Sequence, residues 1–199
     1  MKKKECLAFY KERFGKGVNI GGGDWKFTAI KEGEYGFFTI TVRLLKSPPI
    51  QRIENVVDYA PSWYKEVVCE IREDDQLNNL IGATHREIPK GGEVLEEHLE
   101  TALAEAYKLY EKIKQPKVIS AYLTPIYEYG LTNTGPVYNR QFFYCCVFKG
   151  DVELLEAERL AQENGTTTLP PAYTLQFFTN AVRIAKEFRS GERVCPIEF

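Results

Sequence analysis

The sequence predicts an α+β fold: a mixed, curved β-sheet sandwiched between helices, with a small N-terminal helix and a β-extension in front of it. Three observations carry that expectation. Apolar residues alternate with a period of two in the first part of the chain, and they recur at helical spacing over 95–113 and again near the C-terminus. Between those helices lies Gln141-Phe142-Phe143-Tyr144-Cys145-Cys146-Val147-Phe148, apolar on both faces, as a central strand would be.

Residues 2–14 form the first helix pattern. Cys6, Leu7, Tyr10 and Phe14 fall near one face, with Lys and Glu on the other, and Gly15 and Gly17 stop it. Gly21-Gly22-Gly23-Asp24 is a turn. Phe38, Ile40, Val42 and Leu44 then alternate with Thr39, Thr41 and Arg43, the mark of a half-buried strand, which Ser47-Pro48-Pro49 breaks. Val67, Cys69 and Ile71 alternate in the same way and predict another strand, followed by the polar turn Glu73-Asp74-Asp75-Gln76 before Leu77, Leu80 and Ile81. The run from Arg86 to Gly92 reads as a tight loop. It feeds the clearest helix of the chain, with Leu95, Leu99, Ala102, Ala106, Leu109 and Ile113 on one stripe.

Two strands are expected next, near 117–127 and 137–148, joined by a loop rich in Gly, Thr and Asn. Residues 151–163 read as a helix. Pro170-Pro171 punctuates before a final helix in which Phe177, Ala181, Ile184 and Phe188 share a face. No internal repeat or long linker divides the chain. The expected organisation is an N-terminal helix and β-extension over 1–60 and an α/β domain over 61–199, packed as one compact unit.

Composition narrows the classes. At 199 residues, with 44% hydrophobic and 27% charged residues, the chain can bury one sizeable core and is not a disordered sequence. A net charge of −2 provides no global attraction to nucleic acid or to anionic membranes. Lys2-Lys3-Lys4 is not followed by an apolar segment, and no stretch approaches the roughly 18–20 apolar residues of a membrane span. The five cysteines form no Cys-x-x-Cys pair and read as reduced, core-filling thiols, so the expected compartment is cytoplasmic. Asn164-Gly165-Thr166 fits a glycosylation sequon, a chance match in that compartment. His85 and His98 share no metal-binding spacing with any cysteine, and neither a serine-hydrolase elbow nor a phosphate loop occurs.

One constellation carries more. Val67-Val68-Cys69-Glu70-Ile71 precedes a turn. Then come Arg86-Glu87-Ile88-Pro89-Lys90-Gly91-Gly92, a Glu-rich, Ala-bearing helix, and Tyr122-Leu123-Thr124-Pro125 ahead of an aromatic run. This segment resembles the Nudix superfamily, in particular its ADP-ribose pyrophosphatase branch, over about half the chain. The resemblance implies a Nudix-like sheet and a loop-helix-loop whose glutamates hold magnesium against a diphosphate, because a hard divalent ion needs several converging carboxylates. It implies Glu97 and Glu105 as catalytic groups, and Glu96, Glu97 and Glu105 as metal ligands. It further implies that Arg86, Gly91, Gly92, Tyr127, Tyr138 and Arg140 bind substrate. The box departs from the family pattern: its Arg-Glu pair falls on Ala104-Glu105, and its closing Glu-Glu pair falls on Lys108-Leu109.

Each of these residues also has a plainer reading. Glu93, Glu97, Glu100 and Glu111 lie opposite the apolar stripe, as a solvated acidic face would. Gly91-Gly92 could be a strand-to-helix turn, and the tyrosines ordinary sheet packing. Three functions therefore stand side by side. One is a magnesium-dependent hydrolase of a nucleoside diphosphate linked to another group. Another is a catalytically inactive protein of the same fold that binds a nucleotide-like small molecule or a protein partner. The last is an unrelated α+β interaction protein, whose fold would lack the strand-loop-helix-strand sandwich. A homodimer through 24–58 is implied by analogy with the same family.

Overall fold

In a computed structural model the backbone is described over residues 3–21, 24–33, 36–47, 50–74, 79–87, 89, 94–130 and 136–199, and side chains over 4–19, 53–74, 79–87, 89, 94–130 and 140–199. Helices and strands share the chain, so the fold is α+β. The elements run α1 (Lys3–Phe14), β1 (Val18–Gly21), β2 (Asp24–Gly33), β3 (Gly36–Ser47), β4 (Ile50–Pro61), α2 (Ser62–Arg72), β5 (Ile81–Glu87), α3 (Glu96–Ile113), α4 (Pro116–Tyr129), α5 (Pro136–Lys149), α6 (Val152–Glu163) and α7 (Leu175–Ser190). They form two compact units: Met1–Pro61 with Asn79–Gln115, and Ser62–Asn78 with Pro116–Phe199. The sequence suggests a division into 1–60 and 61–199; in the structure β5 and α3 belong with the N-terminal strands.

The first unit is built on five strands in the order β1-β2-β3-β4-β5, every neighbour antiparallel. Threonine, valine, isoleucine and phenylalanine dominate β3, and such branched or aromatic side chains suit a pleated surface. Helix α3 packs on β4 and β5. Its stripe Leu99, Ala102, Ala106 and Ile113 is buried, as are Ile53, Val57 and Tyr59, which alternate along β4. Asn55 interrupts that row. Its side-chain amide donates to the carbonyl of Ala102 at 2.6 Å, which ties sheet to helix. The expectation of a homodimer concerns strands whose side chains lie largely outside the described residues.

The second unit is helical. Helix α5 is its centre, with Gln141 to Phe148 all buried, and α4, α6 and α7 pack around it. The ring of Phe143 meets Tyr173, Phe177 and Phe178, while Phe148 meets Trp63, Tyr64 and Phe188. Helix α7 begins at Thr174, whose hydroxyl accepts the Phe177 N–H at 3.1 Å, and ends on Gly191 at φ +80°, the left-handed cap that glycine favours.

Three expected strands are helices instead. At 67–72, Tyr64, Val67, Val68 and Ile71 are buried, a spacing of three and four; the alternation of 67, 69 and 71 is a coincidence within it. The 117–127 segment is α4, opened by Pro116 at its first position, with Ile119, Leu123 and Ile126 inward. The 137–148 run is α5, and a helix buried all round carries no period to distinguish it from a central strand. These helices, together with a sheet that is antiparallel rather than mixed, overturn the Nudix-like sandwich. Among the described residues no helix is long and apolar enough to cross a membrane.

Candidate functional site

The residues expected to form a metal box do not form one. Glu96 and Glu97 are exposed in the first turn of α3, and as sequence neighbours they point to different sides of it. Glu105 is engaged by Lys108 one turn on, and that ammonium holds its carboxyl below the usual carboxylate range. Magnesium needs several hard oxygens converging on one point. Two exposed, diverging carboxylates and one neutralised by a lysine do not fit it, and no step is assigned to the ion. Among the described residues, no three His, Cys, Asp or Glu side chains are grouped as metal ligands.

Other expected contacts are also occupied. The Arg86 guanidinium donates to Glu54 at 2.9 Å across β4 and β5. The Tyr127 hydroxyl donates to Asp151. Gly91 and Gly92 lie outside the described residues, as does the side chain of Tyr138. Arg140 is placed differently. It lines a cleft of about 300 Å³ in the helical unit, where the end of α2, the first half of α5 and the start of α7 meet.

The construction of that cleft begins at the end of α2. The Asp74 N–H donates to the Cys69 carbonyl at 3.3 Å, the closing bond of a Schellman turn, which places Glu73 in the left-handed position where glycine usually stands. Glu73 adopts φ +55°, a conformation that costs a residue with a side chain about 1–3 kcal/mol. Its carboxylate holds the turn there, accepting from Gln176 at 3.0 Å and from Asn180 at 3.1 Å. Asn180, only 8% exposed, also donates to the Ile71 carbonyl at 3.2 Å, an orphan acceptor at the helix end. Strain at a cleft, held by a buried amide, is the pattern of a site that needs a particular geometry.

Arg140 and Tyr144 form the facing wall. One helical turn apart, they lie on the same side of α5. Arg140 is hydrogen-bonded to Tyr173. Among the described residues it has no carboxylate partner, whereas Arg72 is paired with Asp74 at 2.7 Å. Tyr144 is 2% exposed, and among the described residues its hydroxyl has no hydrogen-bond partner. Burial pushes its phenol well above the usual tyrosine range, and the nearby guanidiniums of Arg72 and Arg140 pull the other way. The phenol is therefore a neutral donor at every physiological pH, near a cation that has a hydroxyl partner but no carboxylate among the described residues. Such a pair can grip an anionic oxygen: the guanidinium supplies charge and the hydroxyl a second, directional bond.

Fold and cleft together define an α+β protein whose helical unit carries a polar cleft. No protein-family model, curated protein or solved structure matches the chain. Of this site the sequence points to Arg140 and to the turn at Glu73-Asp74. Tyr144 is hidden in the run taken for a strand. The signal for it was the spacing of Arg140 and Tyr144, which becomes meaningful once the segment is a helix.

Proposed function

We propose that this chain is a binding protein that holds a small anion-bearing molecule, through a carboxylate or phosphate, in the cleft between α2, α5 and α7. The observation that carries this reading is the Tyr144 hydroxyl: a buried donor with no acceptor among the described residues, near a guanidinium with no carboxylate among them. Leaving such a group unpaired costs about 1–3 kcal/mol, a penalty that an arriving acceptor removes. Aromatic side chains at the cleft, Tyr144 and Phe177, supply apolar walls for the rest of the molecule. The reading keeps the expectation of a small-molecule partner and gives it a different place.

Hydrolysis of a linked nucleoside diphosphate rests on the order of loop and helix around α3 alone, and the donor set there does not favour it. Binding without turnover is the reading that the cleft supports. Titration calorimetry with acetate, inorganic phosphate and AMP tests it. At least one of these anions should bind saturably, and Arg140→Gln should weaken it about tenfold or more, the worth of a charge-assisted hydrogen bond. Absence of binding by all three, or binding indifferent to Arg140→Gln, would overturn the proposal.

A further inference from the structure

The cleft carries four formal charges, Arg72, Glu73, Asp74 and Arg140. Arg72 and Asp74 cancel one another in their 2.7 Å ion pair. Two remain, of opposite sign. Among the described residues Arg140 has no carboxylate and Glu73 no cation: the partners of Glu73 there are the side-chain amides of Gln176 and Asn180, both on a single carboxylate oxygen. Neutral amides satisfy lone pairs but do not neutralise charge, so the second oxygen of Glu73 remains an anionic acceptor at the rim of the cleft.

A plain anion seated on Arg140 and Tyr144 would meet Glu73 as a like charge, and a plain amine seated on Glu73 would meet Arg140. A molecule bearing both signs meets each with its opposite. Selection by a repulsive element as well as an attractive one is how binding sites discriminate between related ligands. The volume, about 300 Å³, is at the small end of ligand cavities, and Ile71, Ala172 and Phe177 give it apolar walls.

We infer that the cleft takes a small zwitterion of the α-amino-acid class, its carboxylate on Arg140 and Tyr144, its ammonium on Glu73, and a modest apolar side chain against Ile71 and Phe177. The inference rests on the anion-binding reading and adds to it the second charge.

Three molecules of nearly the same shape separate the two. L-valine carries both groups, isovalerate lacks the ammonium, and isobutylamine lacks the carboxylate. In calorimetric titrations of the full chain, L-valine should bind about tenfold more tightly than isovalerate, and isobutylamine should not bind measurably. Glu73→Gln keeps the oxygen that accepts from Gln176 and Asn180 while removing the charge. It should weaken L-valine, tighten isovalerate by removing the like charge, and so abolish the preference, with thermal unfolding confirming the fold. Equal affinity of the unsubstituted protein for L-valine and isovalerate, or equal weakening of both by Glu73→Gln, would overturn the zwitterion while leaving anion binding intact. Failure of L-valine, isovalerate and phosphate alike would overturn both.

Discussion

Two places in this protein concentrate charged and polar side chains, the acidic face of α3 and the cleft at the start of α7, and they differ in how their groups are satisfied. On α3 the charges are outside. Glu96 and Glu97 are exposed to water, Glu105 has Lys108 and Glu111 has Lys114, each pair three residues apart on the helix surface. At the cleft the decisive groups differ: among the described residues the Tyr144 hydroxyl lacks an acceptor and Arg140 lacks a carboxylate, and Glu73 stands in a backbone conformation that residues with a side chain rarely adopt. A charge that water or a local partner already satisfies has no energetic need of a ligand. A buried group that nothing satisfies does, and it is the better guide to a site than the density of acidic residues.

The contrast can be broken first at the level of stability. Phe143, fully buried among Tyr173, Phe177 and Phe178, underlies the wall that carries Tyr144. Phe143→Ala should cost about 3–5 kcal/mol in urea unfolding, the toll of a cavity in an aromatic core. Next is Asn180→Ala, which leaves the Ile71 carbonyl and the Glu73 carboxylate without their shared donor and should cost about 1–3 kcal/mol. If α3 held the site, substitutions there should matter comparably. Glu105→Ala should instead leave both the urea-unfolding midpoint and anion affinity unchanged.

Titration sharpens the same comparison more gently. Burial raises the phenols of Tyr64 and Tyr144 well above the ordinary tyrosine value of about 10 that they would have in the unfolded chain. The folded protein therefore keeps those protons when the unfolded chain loses them. Stability is at its full value below pH ~10 and falls as pH rises beyond it. Tyrosinate absorbance, followed with unfolding free energy from neutral to alkaline pH, should show the two changing together. Tyr64→Phe and Tyr144→Phe should each flatten the decline. A stability that stays level above that pH would contradict the assignment.

How much of this could be read beforehand follows from where water lies. Helices α1, α3, α6 and α7 keep one wet face, so their apolar residues recur at helical spacing and the periodicity is visible. Strand β3 is legible through the alternation of Phe38, Ile40, Val42 and Leu44. Helix α5 has no wet face over Gln141–Phe148, so nothing in its composition separated it from a strand, and the chance alternation at Val67, Cys69 and Ile71 misdirected the reading of α2. The site suffered from the same cause. A family resemblance that the fold does not sustain points to Arg140, and Tyr144 falls in a run that reads as a strand. Glu73 was placed in a turn, but its left-handed backbone was invisible because glycine is the residue that announces that conformation. The acidic residues of α3 drew attention by number, which says nothing of whether they converge.

The most direct test of the central claim removes one oxygen atom. If the Tyr144 hydroxyl is an unsatisfied donor kept for a ligand, Tyr144→Phe should make the ligand-free protein more stable, by about 1 kcal/mol in urea unfolding, and should lose the further stabilisation that a bound anion confers on the unsubstituted protein. A variant that is less stable than the unsubstituted protein, yet is stabilised as strongly by the same anion, would show that the hydroxyl serves the fold and that the cleft is not a binding site of the kind described.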